Sequence, residues 1–96
     1  MTTITIYQTP QFGATQGHLP VFTMEDMPVT GVVAELEFLD WSFVAFNDHE
    51  RMAKFGCPST MRSLSVGDIV CMEQGVFGSK YYVLSSAGWR ATIAPK

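Results

Sequence analysis

Basic residues are missing from the whole first half of this chain: the first lysine or arginine is Arg51. Seven carboxylates precede it, namely Glu25, Asp26, Glu35, Glu37, Asp40, Asp48 and Glu50. All six cations (Arg51, Lys54, Arg62, Lys80, Arg90, Lys96) come later, with only Asp68 and Glu73 against them. The two halves therefore carry −7 and +4 within a net charge of −3. Cysteine is scarce: Cys57 and Cys71 could make one disulfide, but two thiols suit a reducing compartment. His18 and His49, with these cysteines, match no zinc spacing, so no metal is expected. No apolar run is long enough to cross a membrane. The opening residues lack the basic and apolar blocks of a signal peptide, so the expected location is the cytoplasm. The Gly75-Val-Phe-Gly78 stretch lacks the Lys-Ser/Thr and helix of a phosphate loop, and no cofactor is expected.

Aromatic and β-branched residues run throughout, which excludes disorder. Ninety-six residues make a single domain, 1–96. Ile4 and Ile6 alternate with Thr3, Thr5 and Tyr7, the period-two pattern of a strand, which Pro10 and Gly13 end. Residues 10–20 read as loop, with an extended piece over 19–22. Thr23 offers a cap for about one helical turn, stopped by Pro28. Over 32–46 the β-branched and aromatic content favours a strand hairpin turning at Asp40, with helix as the alternative. In a strand, Glu35 and Glu37 would project side by side about 7 Å apart.

Asn47 or Asp48 should cap a short helix over 50–55, stopped by Gly56 and Pro58, with a loop over 59–63. Gly67-Asp68 marks a turn into a strand over 69–72. Residues 73–80 read as a connection, 81–84 as a strand, 85–88 as a turn, 89–93 as a final strand and 94–96 as a tail. The fold class is α+β: an antiparallel or mixed sheet of about five strands with one or two short helices.

Several residue groups could carry chemistry. Cys57, His49 and Asp48 are the residue types of a nucleophile, base and orienter, without any local signature. Cys71, inside an expected strand, reads as a small buried hydrophobe. Gly67 supplies a left-handed backbone and Asp68 satisfies nearby N–H groups, so Ser63 to Val70 reads as architecture more than as a ligand loop. Arg51, Lys54, Arg62, Lys80 and Arg90 interleave with Phe55, Tyr81, Tyr82 and Trp89, a pattern that can bind single strands. The net acidic charge argues against direct nucleic-acid binding.

Five stretches resemble the YodL-like small domains of phage, plasmid and integrative elements. They are Ile6-Tyr7-Gln8, then Asn47-Asp48-His49 with Arg62-Ser63-Leu64-Ser65-Val66-Gly67-Asp68-Ile69-Val70, then Tyr81-Tyr82-Val83 with Gly88-Trp89. The resemblance leaves 9–40 mostly unmatched and implies no enzymatic activity. It implies an origin in a mobile element, where small acidic proteins serve as anti-defence factors of the anti-CRISPR kind. By that analogy the seven N-terminal carboxylates would stand in for DNA phosphates and occlude a basic surface. The expected partner is a host CRISPR surveillance complex or another DNA-binding defence protein, with Trp41 or Phe46 as an aromatic anchor. The alternatives are a nucleic-acid-binding or regulatory module built on the basic–aromatic half, an accessory domain of a larger protein, or simply a solvated acidic face.

Overall fold

The computed structural model describes residues 2–9, 17–29, 31–58, 61–75 and 78–94. The alternation at the start of the chain forms strand β1 (Thr2–Gln8), with Ile4 and Ile6 fully buried. After it come β2 (Leu19–Met27), helices α1 (Val32–Ala45) and α2 (His49–Lys54), then β3 (Ile69–Glu73), β4 (Ser79–Ser85) and β5 (Gly88–Thr92). The strands make one antiparallel sheet in the order β2-β1-β3-β4-β5. The expected α+β class therefore holds. Pro10, Gly13, Ser59, Val76, Phe77 and the Pro95–Lys96 tail lie outside the described residues.

Residues 32–46 do not form the expected hairpin; they hold the 14-residue helix α1. Its buried positions are Glu35, Phe38, Leu39, Ser42 and Ala45, which recur at three- and four-residue steps. A strand would have sent Phe38 and Leu39 to opposite faces, whereas a helix buries both together. The helix start carries no side-chain cap: Gly31, at φ 86°, holds that position, and its carbonyl accepts from Glu35 N–H at 3.0 Å. Helix α2 begins as expected, because the Asp48 carboxylate accepts from the backbone N–H of Glu50 and of Arg51. It stops before Gly56, whose φ of 78° favours glycine.

The short helix expected after Thr23 is absent, and strand β2 runs through to Met27. Thr23 faces Thr5 across the sheet, their hydroxyls 3.4 Å apart. The pairs Ile4–Met24 and Thr2–Met27 leave Glu25 and Asp26 opposite a single β1 residue, which makes a bulge with Asp26 at φ 55°. Pairing with β1 supplies partners along the whole strand, which an isolated helical turn cannot match.

Both helices contribute to one core cluster: Phe38, Leu39, Ala45 and Met52 pack with Ile4, Ile6, Met24, Val70 and Met72. Phe46, fully buried, bridges the helices through Trp41 and Phe55, with ring centroids 5.7 and 6.2 Å away. Burying a side chain such as Leu39 contributes about 1.5–3 kcal/mol. Lys80, Tyr82 and Leu84 point to this helix-bearing side of β4, because they alternate with Tyr81 and Val83.

Candidate functional site

The Ser-Leu-Ser-Val-Gly-Asp block builds a closed polar network. Asp68 is buried and pairs bidentately with Arg62, with both N–O distances 2.9 Å. Its Oδ2 also accepts from Ser65 N–H at 2.9 Å and from the Gln8 amide at 3.2 Å. Gln8 in turn donates to the Arg62 carbonyl at 2.8 Å, which locks β1 to the block. Gly67 sits at φ 97°, and its carbonyl lies 2.6 Å from His18 Nε2. The turn chemistry follows the sequence reading, in which Arg62 is one of several cations that could balance Asp68 and is not singled out as its partner. Its spacing to a buried-type Asp beside a Gly turn was the available signal.

Glu35 does not join an exposed acidic stripe. Its side chain is fully buried. Its carboxylate accepts from Gln74 Nε2 at 2.7 Å, Tyr82 Oη at 2.9 Å and Lys80 Nζ at 3.2 Å. Burial pushes the carboxyl pKa up, but the bonds from Gln74, Tyr82 and Lys80 and the charge of Lys80 outweigh it, leaving the pKa below its usual value. Burial and the bond to Glu35 push the Tyr82 hydroxyl up. Glu35 and Glu37 therefore point to different sides of α1, because the helix replaced the strand that would have aligned them.

The six remaining carboxylates of the N-terminal half are all exposed, but on three elements. Glu25 and Asp26 occupy the β2 bulge, Glu37 and Asp40 lie one turn apart on α1, and Asp48 and Glu50 open α2. Asp48 is engaged in capping and lies 3.7 Å from Arg51. Glu37 and Asp40 have no ion-pair partner among the described residues.

The outer side of α1 is apolar as well as acidic. Val33 is 71% exposed and Val44 60%, with Val32, Leu36 and Phe43 also open. Alpha helices that bury one stripe normally turn a polar one outward. Next to this side lies a cleft of about 350 Å³ lined by Asp40, Phe43, Val66, Leu84, Trp89 and the turn residues Ser85, Ser86 and Gly88. Of the two expected anchors, Phe46 is core and unavailable, while Trp41 is partly exposed beside Phe38 and Phe55.

The basic–aromatic residues do not form one surface. Arg62 is bound to Asp68 and Lys80 to Glu35; Tyr82 donates to Glu35, and Trp89 packs against the core. Tyr81 projects to the other side of β4 from Tyr82. Cys57 gains no catalytic neighbours from Asp48, whose carboxylate caps α2. Burial pushes the thiols of Cys57 and Cys71 up, which lowers their thiolate content. Among the described residues no group of His, Cys, Asp and Glu is placed to hold a metal, and no helix is long and apolar enough to cross a membrane.

Comparison with curated proteins gives a relative in Bacillus subtilis (strain 168), the uncharacterized protein YodL. It is 33% identical over 89 residues, which span 91% of this chain and 77% of that protein. No protein-family model matches, and no solved structure gives a significant match. The chain belongs to the YodL family.

Proposed function

We propose that this YodL-family domain is a binding protein that docks a basic, partly apolar protein surface on the outer side of α1, without turnover. The observation that carries this reading is the exposed Val32, Val33, Leu36, Phe43 and Val44 alongside Glu37 and Asp40. Apolar side chains this open on one helix mark an interaction surface. Helix α1 contains no lysine or arginine, and Lys80 already neutralises Glu35. The outer side is thus apolar and purely acidic, which favours a partner rich in arginine or lysine and opposes self-pairing.

The DNA-binding surface of a host defence complex, such as a CRISPR surveillance complex, is a basic surface of this kind. In that narrower form the domain is an anti-defence protein that occludes DNA, using Glu37 and Asp40 with apolar contacts instead of a line of seven carboxylates. The nucleic-acid-binding alternative loses support because Arg62 and Lys80 are already committed to internal carboxylates.

The test is affinity capture from bacterial extract by the wild-type protein, by Val33→Glu/Leu36→Glu, by Glu37→Lys/Asp40→Lys and by Tyr81→Ser. A protein captured by wild type and Tyr81→Ser but lost from both α1 variants, and released by salt, is the expected result. Capture that ignores the α1 changes overturns the reading. Competition between the captured protein's DNA and this domain distinguishes the narrower form.

A further inference from the structure

The cleft beside α1 has walls from three parts of the fold: Asp40 and Phe43 from α1, Val66 from the Gly67 turn, and Leu84, Ser85, Ser86, Gly88 and Trp89 from the β4–β5 hairpin. From this lining we infer that it is a receptor for a single arginine side chain of the partner, an inference that rests on the docking role proposed above.

Three features select that ligand. The volume, about 350 Å³, is at the small end for a binding pocket, enough for one long side chain. Phe43 and Trp89 offer aromatic surface, and Val66 and Leu84 offer aliphatic surface, which together suit a methylene stem and a planar guanidinium. Among the described residues, Asp40 is the only charged one in the lining, and it has no counter-ion.

The other polar groups do not change the sign. The Ser85 hydroxyl is occupied within the turn, donating to the Gly88 carbonyl at 2.7 Å and accepting from Ala87 N–H at 3.3 Å. Among the described lining residues, an anionic ligand would meet Asp40 and no cation. A purely apolar ligand would desolvate the carboxylate without pairing it. A guanidinium satisfies the carboxylate and the aromatic walls together.

The test is a nuclear magnetic resonance titration of the full chain with Nα-acetyl-arginine N-methylamide, and with its citrulline counterpart, which has the same shape without the charge. Saturable shifts are expected at the Trp89 indole N–H and at the Ser86 and Gly88 amides, with the Trp41 indole unmoved. Citrulline should bind at least about tenfold more weakly, and so should arginine to Asp40→Asn. The unchanged remainder of the Asp40→Asn spectrum serves as the check on folding. Absence of arginine shifts, equal binding of citrulline, or indifference to Asp40→Asn overturns the inference. Arginine binding with capture that ignores Leu36 would sink the docking role alone; capture that needs Leu36 with no arginine binding would sink the pocket alone.

Discussion

The hydroxyl of Tyr82 donates to Oε1 of Glu35 at 2.9 Å, tying the middle of β4 to the first turn of α1. Gln74 and Lys80 complete the set, so one carboxylate adds three polar links between α1 and the sheet to the apolar packing of the core. Tyr82→Phe is expected to cost about 1–2 kcal/mol in urea unfolding at neutral pH. Lys80→Met should cost about 2 kcal/mol, less than the ~3–5 of a fully buried pair because Lys80 is itself substantially exposed.

The Glu35 carboxyl has a lower pKa folded than unfolded, so it binds its proton more readily in the unfolded chain. Its stabilisation is complete above the ordinary value of 4.5 and is lost as pH falls through the lower folded value. Denaturation midpoints measured from pH 7 down to pH 3 should therefore fall, and fall less steeply in Glu35→Gln.

Asp68→Ala should destabilise by about 3–5 kcal/mol, since it removes the counter-charge of a part-buried guanidinium and leaves Arg62 the neutral acceptors of Ser63, Ser65 and Thr9. Arg62→Lys should recover only part of that pairing, because a lysine cannot reproduce the two-pronged contact. A double-mutant cycle on the two residues, read by urea unfolding, should give a strong coupling.

These networks explain which parts of the fold were legible in the sequence. The β1 alternation, the Asp48 cap of α2 and the Gly67–Asp68 turn are local signals, and each formed as read. Helix α1 and the continuation of β2 beyond Phe22 depart from the sequence expectation because tertiary contacts decide them. Val32, Val33 and Val44 resemble strand residues, yet they lie on the outer side of a helix whose inner side fills the core. Thr23 resembles a cap until β1 is beside it. Glu35 looked solvent-facing because its partners Gln74, Lys80 and Tyr82 are far along the chain. The candidate site was legible only in part: acidity pointed to Glu37 and Asp40, but the apolar company they keep needed the helix.

Surface and core positions of α1 should separate cleanly. Val33→Ser and Leu36→Ser, at exposed positions, should change unfolding free energy by no more than about 0.5 kcal/mol. Leu39→Ala, a few residues away but fully buried, should cost about 2–5 kcal/mol. Equal effects from the two groups would mean that the outer side is packed rather than open.

The thiols give an independent readout. Cys71 is buried and Cys57 partly so, and burial raises both pKa values. Iodoacetamide at neutral pH should modify Cys57 slowly and Cys71 only as the chain unfolds in denaturant, as followed by mass spectrometry.

Thr3 pairs with Glu73, which places the earliest strand between β2 and a strand from the far half of the chain. During synthesis on a ribosome, β1 can zip to β2 early but must wait for β3 before the sheet has a middle. The nascent chain therefore leaves Ile4 and Ile6 without Met72 and Val70, their cross-strand partners in the core, until β3 is made, a window open to chaperones.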